Sequence, residues 1–562
     1  MRPRLDAFGE RWIAAERDAC RAARIERTQT EPQLAQRTLC LHQARARLGA
    51  VVAELAAGGA DAVERAIDPL ALLPDLSACA DLTSLGSRPP PPADPATRAT
   101  LDTLIDELAA DTAATLLRRP RDLAAAERLL ERARTIGWAP VIAEAEYARA
   151  GVLHQLGHHT QARDAYRSAA NAAVAAATDD LAGYAQADLA FTLASSGHFH
   201  EAEQEVAMAE AIRTRLGGDP GLGVRILGAK RLIAQGLGRP EAVLAISRET
   251  VELSRRAHDD PVSNAMNHLT LAAGHLATDQ LVEAEREAEL GLRKLEVVLG
   301  PDHPRLVEML QMLGKARAHL AKLDDAQRDL DRALVIAEKW HGPESPLVAN
   351  VLIDRVTISS QRGDDAKMRA DSLRALAIME RTNPGSEDVA GLLLNLGVAA
   401  AKAGELDAAA EYATRSMRAF EALQNPNNPG LASVLLLRGY VARGQKRYAD
   451  SISDLRRAVS LTETSDVVSS TVNPKIELSY TLVLDGKARE AVDLLVPLVA
   501  IPGVPPMTKA ELHLALADAL WGAGDKVRAR KEAAASRDAW AALGEGFEGQ
   551  RVQAEAWANQ HR

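Results

Sequence analysis

The fold is decided by a repeated unit, seen clearly in "LGPDHPRLVEMLQMLGKARAHLAKLDDAQRDLDRAL", residues 299–334. Leu306, Leu310, Leu313 and Leu320 recur with the period of an amphipathic helix. "KLDD" has the composition of a short turn, and the following "AQRDLDRALVIAEKW" has the pattern of a second helix. The unit is therefore predicted to be two helices joined by a short turn.

The same unit recurs along most of the chain. A small or medium side chain follows each predicted turn, at Ala126, Ala162, Ala202, Ala242, Ala284, Ala326, Met368, Ala409, Ser451, Ala491 and Ala529. Successive positions lie 36 to 42 residues apart, with a one-residue slip around Ala242. A glycine often stands five residues earlier, at Gly157, Gly197, Gly363, Gly404, Gly486 and Gly524. This period predicts an array of about eleven helical hairpins.

The links between units contain proline and charged residues. "GPDHP", residues 300–304, returns one unit later in relaxed form within "HGPESPLVAN", residues 341–350. Proline is tolerated at the start of a helix but not inside one. We therefore interpret Asp302 and His303 as parts of a link between helices, and not as a chemical site.

The small and large positions of this pattern resemble the tetratricopeptide repeat, and the 40 to 42 residue period with its Gly-Pro-Asp-His-Pro links resembles the kinesin-light-chain-like subtype. The resemblance covers residues 97–543. It implies an all-α, right-handed superhelical solenoid whose first helices line a concave groove for peptides or proteins. Residues 1–85 form an N-terminal helical region, residues 86–96 a Pro-rich linker, and residues 544–562 a capping helix or tail.

Two helices are predicted upstream of the proline-rich "GSRPPPPADP", residues 86–95. Thr30 is a candidate cap for the second helix and Pro32 falls in its first turn. Cys20 and Cys40 lie at nearly equal distances from the turn at residues 28–30, so a disulfide between them is within reach. Two reduced, buried thiols are the alternative, and Cys79 is then unpaired or an alternative partner.

A second resemblance concerns this N-terminal region. "RWIAAERDAC" (11–20), "TLCLHQARARL" (38–48) and "LLPDLSACAD" (72–81) resemble the segment between kinase domain and repeats in myxobacterial-type serine/threonine protein kinases. That resemblance implies a kinase domain and a membrane-spanning helix ahead of a non-catalytic half. The sequence has no Gly-rich nucleotide loop, no His-Arg-Asp catalytic loop and no Asp-Phe-Gly motif, so we predict that it is not an enzyme. It is either a cut-out of such a kinase or a free-standing relative.

The composition of the chain argues against nucleic acid and membranes as its partners. The formal net charge is −10, without a basic block, which argues against nucleic acid. No apolar run is long enough to span a bilayer, so no membrane insertion is expected from this sequence. A complete chain of this kind is expected in the cytoplasm, whereas the half of a membrane-anchored kinase is expected outside it.

Histidines recur in two predicted turns and are weak candidates for metal ligands: His158, His159, His198 and His200. His158 and His198 are one repeat apart and should occupy the same turn in neighbouring units. Turns favour polar residues, however, and no cysteine or carboxylate completes a ligand set. No metal, cofactor or catalytic residue is therefore predicted.

The tetratricopeptide resemblance also implies which residues face the groove. These are Tyr147, His154, Tyr184, Phe191, Gln311, Lys315, His319, Asn350, Tyr440, Arg443, Tyr480 and Trp521. Aromatic residues are only 3% of the chain, and Tyr, Trp and Arg are enriched at binding hot spots, which favours a role as anchors. The alternative is that these side chains fill gaps between units. The Lys and Asn pair with which such repeats hold a carboxyl terminus is absent from the matching positions.

These observations favour a non-catalytic scaffold that binds a protein or peptide in kinase-linked bacterial signalling. The first alternative is the ligand-sensing half of a transmembrane kinase. A peptide-responsive transcription regulator is a second alternative, which residues 1–85 disfavour because they contain no recognisable basic helix-turn-helix. The oligomeric state is left open by the sequence.

Overall fold

The computed structural model describes residues 2–58, 73–74, 76–116, 122–156, 158–257, 260–423, 429–463, 468–544 and 547–561. In these segments the regular structure is helical, with 26 α-helices and two short 3₁₀ helices. The chain divides into two compact units, Met1–His341 and Gly342–Arg562. The predicted all-α helical-repeat fold is confirmed.

The first unit begins with a helical hairpin. Its elements are α1 (Arg2–Arg24), α2 (Glu31–Ala57), a 3₁₀ helix (Leu76–Ala80) and α3 (Leu82–Gly86). Thr30 caps α2 as predicted: its hydroxyl accepts a hydrogen bond from the Gln33 amide, and the Gln33 side chain accepts one from the Thr30 amide. This reciprocal arrangement satisfies two amides that otherwise lack a partner at the start of the helix.

Six hairpins complete the first unit, and in each of them the first helix packs against the second. They are α4 (Pro95–Leu116) with α5 (Leu123–Ile136), α6 (Ala139–Gln155) with α7 (His159–Ala175), α8 (Asp179–Ser195) with α9 (Phe199–Arg215), α10 (Pro220–Gly236) with α11 (Pro240–Ala257), α12 (Pro261–Ala277) with α13 (Leu281–Leu299), and α14 (Leu306–His319) with α15 (Leu323–His341).

The second unit contains five hairpins and a terminal helix. They are α16 (Pro346–Arg362) with α17 (Asp365–Thr382), α18 (Glu387–Lys402) with α19 (Leu406–Ala422), α20 (Pro429–Gly444) with α21 (Tyr448–Thr462), α22 (Val468–Leu484) with α23 (Ala488–Leu495), which a 3₁₀ helix (Val496–Ala500) follows, α24 (Pro506–Ala523) with α25 (Lys526–Ala542), and then α26 (Glu548–Gln560).

The recurring small residue has one structural position. In ten of the eleven hairpins it is the fourth residue of the second helix, and it is buried in each of these ten. Ala202, Ala326 and Ala409, for example, expose 0% of their surface. A larger side chain there would push the two helices apart, since close-packed interiors leave no spare volume. The period in the sequence is therefore the period of this helix contact.

The exception is the unit with the slip. Ala242 is the third residue of α11 and is only half-buried, whereas Val243 is the fourth and is 2% exposed. Val243 therefore takes the position that the sequence pattern had given to Ala242. The one-residue slip predicted for this unit is confirmed.

The glycine five residues earlier has a conformational cause. The backbone at this position turns from the first helix into the second with positive φ, as at Gly404 with φ 79°. Some units place another residue there, and Ala321 has φ 57°. An alanine in this left-handed region costs roughly 1–2 kcal/mol, because its Cβ approaches the following carbonyl oxygen.

A second recurring feature joins the two helices of a hairpin. An acidic residue three positions after the small residue bonds to a side chain of the first helix in six hairpins. The pairs are Gln186–Glu205, His268–Glu287, Arg317–Asp329, Arg355–Asp371, Arg438–Asp454 and His513–Glu532. These carboxylates are largely buried, and each pair links the first helix of its hairpin to the second.

The link around Asp302 is structural, as the sequence suggests. The Asp302 carbonyl accepts a hydrogen bond from the Trp340 indole at 2.7 Å, and its carboxylate pairs with Lys339 at 3.0 Å. The corresponding Glu344 of the second unit pairs with Arg381 at 2.8 Å. Both links are thus held by the C-terminal end of the second helix that follows them.

The predicted pairing of Cys20 with Cys40 is wrong. Cys40 of α2 forms a disulfide with Cys79 of the 3₁₀ helix, and Cys20 is an exposed free thiol. Cys20 projects from α1 into solvent, whereas Cys79 packs with Leu41 and Ala19 in a small apolar cluster. The number of residues from the turn does not determine the face of α1 on which Cys20 lies. Because Cys20 lies on the exposed face, it does not pair with Cys40.

The N-terminal hairpin is packed onto the first repeats. Leu39 and Ala46 of α2 share an apolar cluster with Leu101 and Leu104 of α4. The proline-rich stretch is held by the Trp138 indole, which donates to the Pro89 carbonyl at 3.2 Å. The predicted boundaries at residues 85, 96 and 543 stay predictions. Among the described helices, none is both long and apolar enough to cross a membrane.

We predict opposite effects of two single substitutions at the position with positive φ. Ala321→Gly should raise the free energy of unfolding by about 1 kcal/mol, because glycine adopts this conformation without a steric cost. Gly404→Ala should lower it by about 1 kcal/mol for the same reason. Urea unfolding of both variants measures this, and equal effects of the same sign would contradict the assignment.

We also predict the thiol count of the folded protein. Without reductant, a thiol reagent should modify one cysteine per chain, Cys20, and after reduction under denaturing conditions it should modify three. Loss of the Cys40–Cys79 bond should lower the free energy of unfolding by about 2–4 kcal/mol, since the bond closes a long loop. Two accessible thiols in the oxidised protein, or modification of Cys40, would contradict this pairing.

Candidate binding groove

The first helices of four consecutive hairpins in the second unit surround one cavity of about 410 Å³. The helices are α18, α20, α22 and α24. The lining residues are Val398, Ala401, Lys402, Ser433, Leu436, Leu437, Tyr440, Asn473, Ile476, Glu477 and Glu511. The apolar aliphatic ones are buried or half-buried, whereas Lys402, Ser433 and Asn473 are exposed. We call this cavity, with its apolar base and polar rim, the Tyr440 pocket.

Tyr440 is the predicted groove residue that lines this pocket, and 42% of its surface is exposed. Arg443 lies one helical turn further along α20. Its guanidinium stands 5.3 Å from the Tyr440 ring centre and 5.5 Å from that of Tyr480 on α22. Such cation–π contacts orient the guanidinium. The structure therefore brings three of the twelve predicted groove residues together.

Arg443 is already paired on its other side. It donates to the Glu477 carboxylate at 2.7 Å and to the Glu477 carbonyl at 3.2 Å. Glu477 belongs to α22, so this pair joins two neighbouring first helices. Arg443 thus lies beside the pocket, and its charge is largely neutralised by Glu477 of the lining.

Glu511 on α24 is different from Glu477. It is half-buried, and it makes no hydrogen bond or ion pair with the part of the chain that the structure describes. Burial raises the pKa of its carboxyl above the ordinary range, Glu477 raises it further, and Arg443 opposes the change. A carboxylate kept from water without a partner is costly for the folded protein. Glu511 is therefore the group in the pocket with unused capacity for a cation.

The C-terminal helix α26 covers the end of this face. The Trp557 indole donates to the Asp518 carboxylate of α24, and the rings of Trp557 and Trp521 lie 5.9 Å apart. His561 stacks on Trp557 at 4.1 Å. Trp521, a predicted groove residue, is thus occupied by contacts with α26.

In the first unit, the predicted aromatic residues pack among themselves. The Tyr147 hydroxyl donates to Asp188 at 2.7 Å, and Arg225 holds the same carboxylate in a bidentate pair at 2.5 and 2.8 Å. Burial raises the pKa of Tyr147, and the Asp188 charge adds to this effect. The three residues come from α6, α8 and α10, so they tie consecutive first helices together. Tyr147 therefore fills space between repeats, which was the alternative to a role as a binding anchor.

His154, Phe191 and Tyr184 belong to the same face. The His154 and Phe191 rings lie 5.9 Å apart, and the His154 imidazole lies 3.2 Å from the Thr192 hydroxyl. Burial lowers the pKa of His154. The Tyr184 hydroxyl lies 3.5 Å from Asp219, and burial raises the pKa of Tyr184 to about 12. These side chains form contacts between repeats and are largely enclosed.

The remaining groove residues do not join either cluster. Gln311, Lys315 and His319 follow one another along α14 at spacings of one helical turn, and Lys315 and His319 are exposed. Asn350 is exposed on α16 of the second unit. Their role in binding stays a prediction.

The histidine turns are where the sequence places them. His158 and His198 each precede the second helix of a hairpin, and His158, His159, His198 and His200 are all exposed. Among the residues that the structure describes, no group of three His, Cys, Asp or Glu side chains is arranged to hold a metal ion.

The groove residues implied by the tetratricopeptide resemblance do not include Glu477 and Glu511, which line the Tyr440 pocket. Glu511 lies eighteen residues before Ala529, which is the register of Tyr184 before Ala202 and of Asn350 before Met368. The repeat register could therefore have found Glu511, because residues at one register share a face of the array.

Comparison with known families agrees with this fold. The family model described as tetratricopeptide repeat matches residues 388–464. That range spans the hairpins α18–α19 and α20–α21, and it includes Tyr440 and Arg443. No curated protein is significantly similar to this chain in sequence.

Several solved structures are also similar. BtubC (BKLC) from P. vanneervenii is 20% identical, with 40% of this chain and 91% of that chain covered and a TM-score of 0.36. A tetratricopeptide repeat protein from Parabacteroides merdae is 14% identical, with coverages of 52% and 98% and a TM-score of 0.37. The Cut9–Hcn1 assembly of the APC/C is 16% identical, with coverages of 93% and 96% and a TM-score of 0.43. We draw no functional conclusion from likenesses at this level.

The chain is thus an all-α array of helical repeats with a fold of the tetratricopeptide type.

We predict that Glu511→Gln stabilises the protein near neutral pH. Folding raises the pKa of the Glu511 carboxyl, so the protonated form favours the folded state and the charged form disfavours it. The contribution of this group to the free energy of unfolding is therefore fully present below its pKa in the unfolded chain, and it is lost as the pH rises through its pKa in the folded chain. Removing the charge should therefore raise the free energy of unfolding near pH ~7 and leave it unchanged below pH ~4, where the carboxyl is protonated in both states.

The matched control is Glu411→Gln, an exposed carboxylate on the second helix α19. Its effect on stability should be small at either pH. Denaturant unfolding at the two pH values measures both variants. A loss of stability in Glu511→Gln near neutral pH would mean that the carboxylate has a favourable partner.

Proposed function

We propose that this chain is a non-catalytic scaffold that binds a peptide segment of a partner protein along the first helices of its second unit. The observation that carries the proposal is the Tyr440 pocket, whose lining comes from first helices alone. Ligand-binding pockets combine a mostly apolar lining with a few placed polar groups, and this pocket has both.

The shape and setting of the pocket support a peptide rather than an enclosed small molecule. Four parallel first helices contribute to it, so it extends across neighbouring repeats in the direction of the array. Tyr440 offers a rigid, exposed aromatic surface at the rim. Exposed tyrosines above apolar pockets are favoured anchors, because they bury much area at little cost in conformational entropy.

We further propose that the scaffold acts in a kinase-linked signalling pathway of bacterial type. The support is the resemblance of residues 11–20, 38–48 and 72–81 to the segment that precedes the repeats in myxobacterial-type kinases. In the structure, Leu39 and Ala46 of this region pack against α4 of the first repeat. A partner in such a pathway is a signalling protein with an exposed peptide segment.

A second candidate function is the ligand-sensing half of a transmembrane serine/threonine kinase. The Cys40–Cys79 disulfide favours it, because disulfides persist in oxidising compartments and are rare in the cytoplasm. Trapping the thiols in source cells before lysis distinguishes the two. A Cys40–Cys79 bond in the cell supports the sensor, and three reduced thiols support the cytoplasmic scaffold.

We predict that Tyr440→Ala weakens peptide binding by about ten-fold or more, since the exposed ring should be an anchor. The probe is a nonapeptide selected from a random display library on the full chain. Arg443 and Tyr480 are less suitable targets, because both help to hold α20 and α22 together. Fluorescence polarisation measures the affinity.

Tyr448→Ala is the control for this experiment, because Tyr448 begins the second helix α21 of the same hairpin. It should leave the affinity unchanged. Equal affinities of the parent chain and Tyr440→Ala, or a larger loss with Tyr448→Ala, would place the binding surface elsewhere.

A further inference from the structure

The Tyr440 pocket has a chemical asymmetry. Its lining holds two carboxylates, those of Glu477 and Glu511, and a third carboxylate, that of Asp518, lies further along α24 outside the lining. Lys402 is the cation of the lining and lies 3.9 Å from Asp365, whereas Arg443 pairs with Glu477 beside the lining. Of the two lining carboxylates, Glu511 is therefore the one that forms no ion pair with the described residues.

The partners of these carboxylates differ. Glu477 accepts from Arg443, and Asp518 accepts from Trp557 of α26. Glu511 makes no such bond with the described residues, although it is half-buried. A cation placed beside Glu511 would satisfy the one carboxylate of the three without a hydrogen-bonded partner.

The rest of the pocket fits the stem of a long basic side chain. Leu437, Ala401 and Ile476 are buried, and Leu436 and Val398 are half-buried, so the base is aliphatic. Arginine and lysine bury their methylene groups against such surfaces and keep the charged head at a polar edge. Tyr440 adds an aromatic face, and Arg443 already shows that a guanidinium packs against it at 5.3 Å.

We propose that the Tyr440 pocket is a specificity pocket for an arginine or lysine side chain within a peptide segment of the partner. The methylene stem lies on Leu436, Leu437 and Ile476, and the charged head reaches the Glu511 carboxylate. The inference rests on the proposed peptide-binding function, and it adds the chemistry of the ligand. A cavity of about 410 Å³ holds one such side chain together with part of its neighbours.

A pairing of this kind explains why an unpartnered carboxylate is kept at Glu511. The folded chain alone bears the cost of withdrawing the charge from water, and a bound cation offsets that cost. Binding and stability should then respond in opposite directions when the charge is removed. A carboxylate with a purely structural role would not give this result.

The test uses twenty nonapeptide libraries in which the central residue is fixed and the others are random. All peptides are acetylated and amidated, so that neither terminus supplies a charge. Binding to the full chain is measured by fluorescence polarisation. Libraries with central Arg or Lys should bind about ten-fold more tightly than those with Gln or Leu, as expected for a desolvated charge pair.

Glu511→Gln should abolish most of this preference, and Glu411→Gln should retain it. The opposite changes in stability and preference show that Glu511→Gln is folded, so loss of binding is not loss of fold. Preference for central Leu or Glu, or an Arg preference that survives in Glu511→Gln, would overturn the inference and leave peptide binding intact. If no library binds, the proposed peptide-binding function fails with it.

Discussion

The contact between the two helices of each hairpin, at the fourth residue of the second helix, is the constraint on which the rest of the structure depends. An alanine, serine, methionine or valine is buried there in all eleven hairpins. Because the backbones can come close only at a small or adaptable side chain, this contact sets the distance and angle between helices. The same geometry then repeats, and it leaves the first helices of neighbouring repeats side by side. The Tyr440 pocket lies on the face so formed.

Polar side-chain pairs also join the two helices within a hairpin. In six hairpins an acidic residue of the second helix pairs with a side chain of the first helix of the same hairpin. On the face of the first helices the two units differ. In the first unit Asp188 is held by Tyr147 and by Arg225, whereas in the second unit Glu511 is left without such a partner. The same face therefore carries a carboxylate with hydrogen-bonded partners in the first unit, Asp188, and one without such partners among the described residues in the second unit, Glu511.

Much of the fold could be predicted from the sequence, because the period is a direct record of a helix contact. The positions of Ala202 or Ala409, the turn before them and even the slip beside Ala242 follow from spacing alone. The disulfide could not be predicted in this way, since spacing gives the height of Cys20 along the hairpin but not the face from which it projects. Likewise, scarcity of aromatics pointed to Tyr440 but equally to Tyr147, which is packed between repeats. Whether a side chain is satisfied by its neighbours depends on residues far apart in sequence, and only the structure shows that.

Photo-crosslinking tests the central claim most directly. A nonapeptide selected on the full chain is synthesised with a benzophenone side chain next to its central residue, and the crosslinked sites are mapped by mass spectrometry. The account predicts crosslinks on the first helices α20, α22 and α24, at residues such as Leu436 and Ile476 that line the pocket. Crosslinks confined to the second helices α19 and α21, or to the first unit, would contradict it.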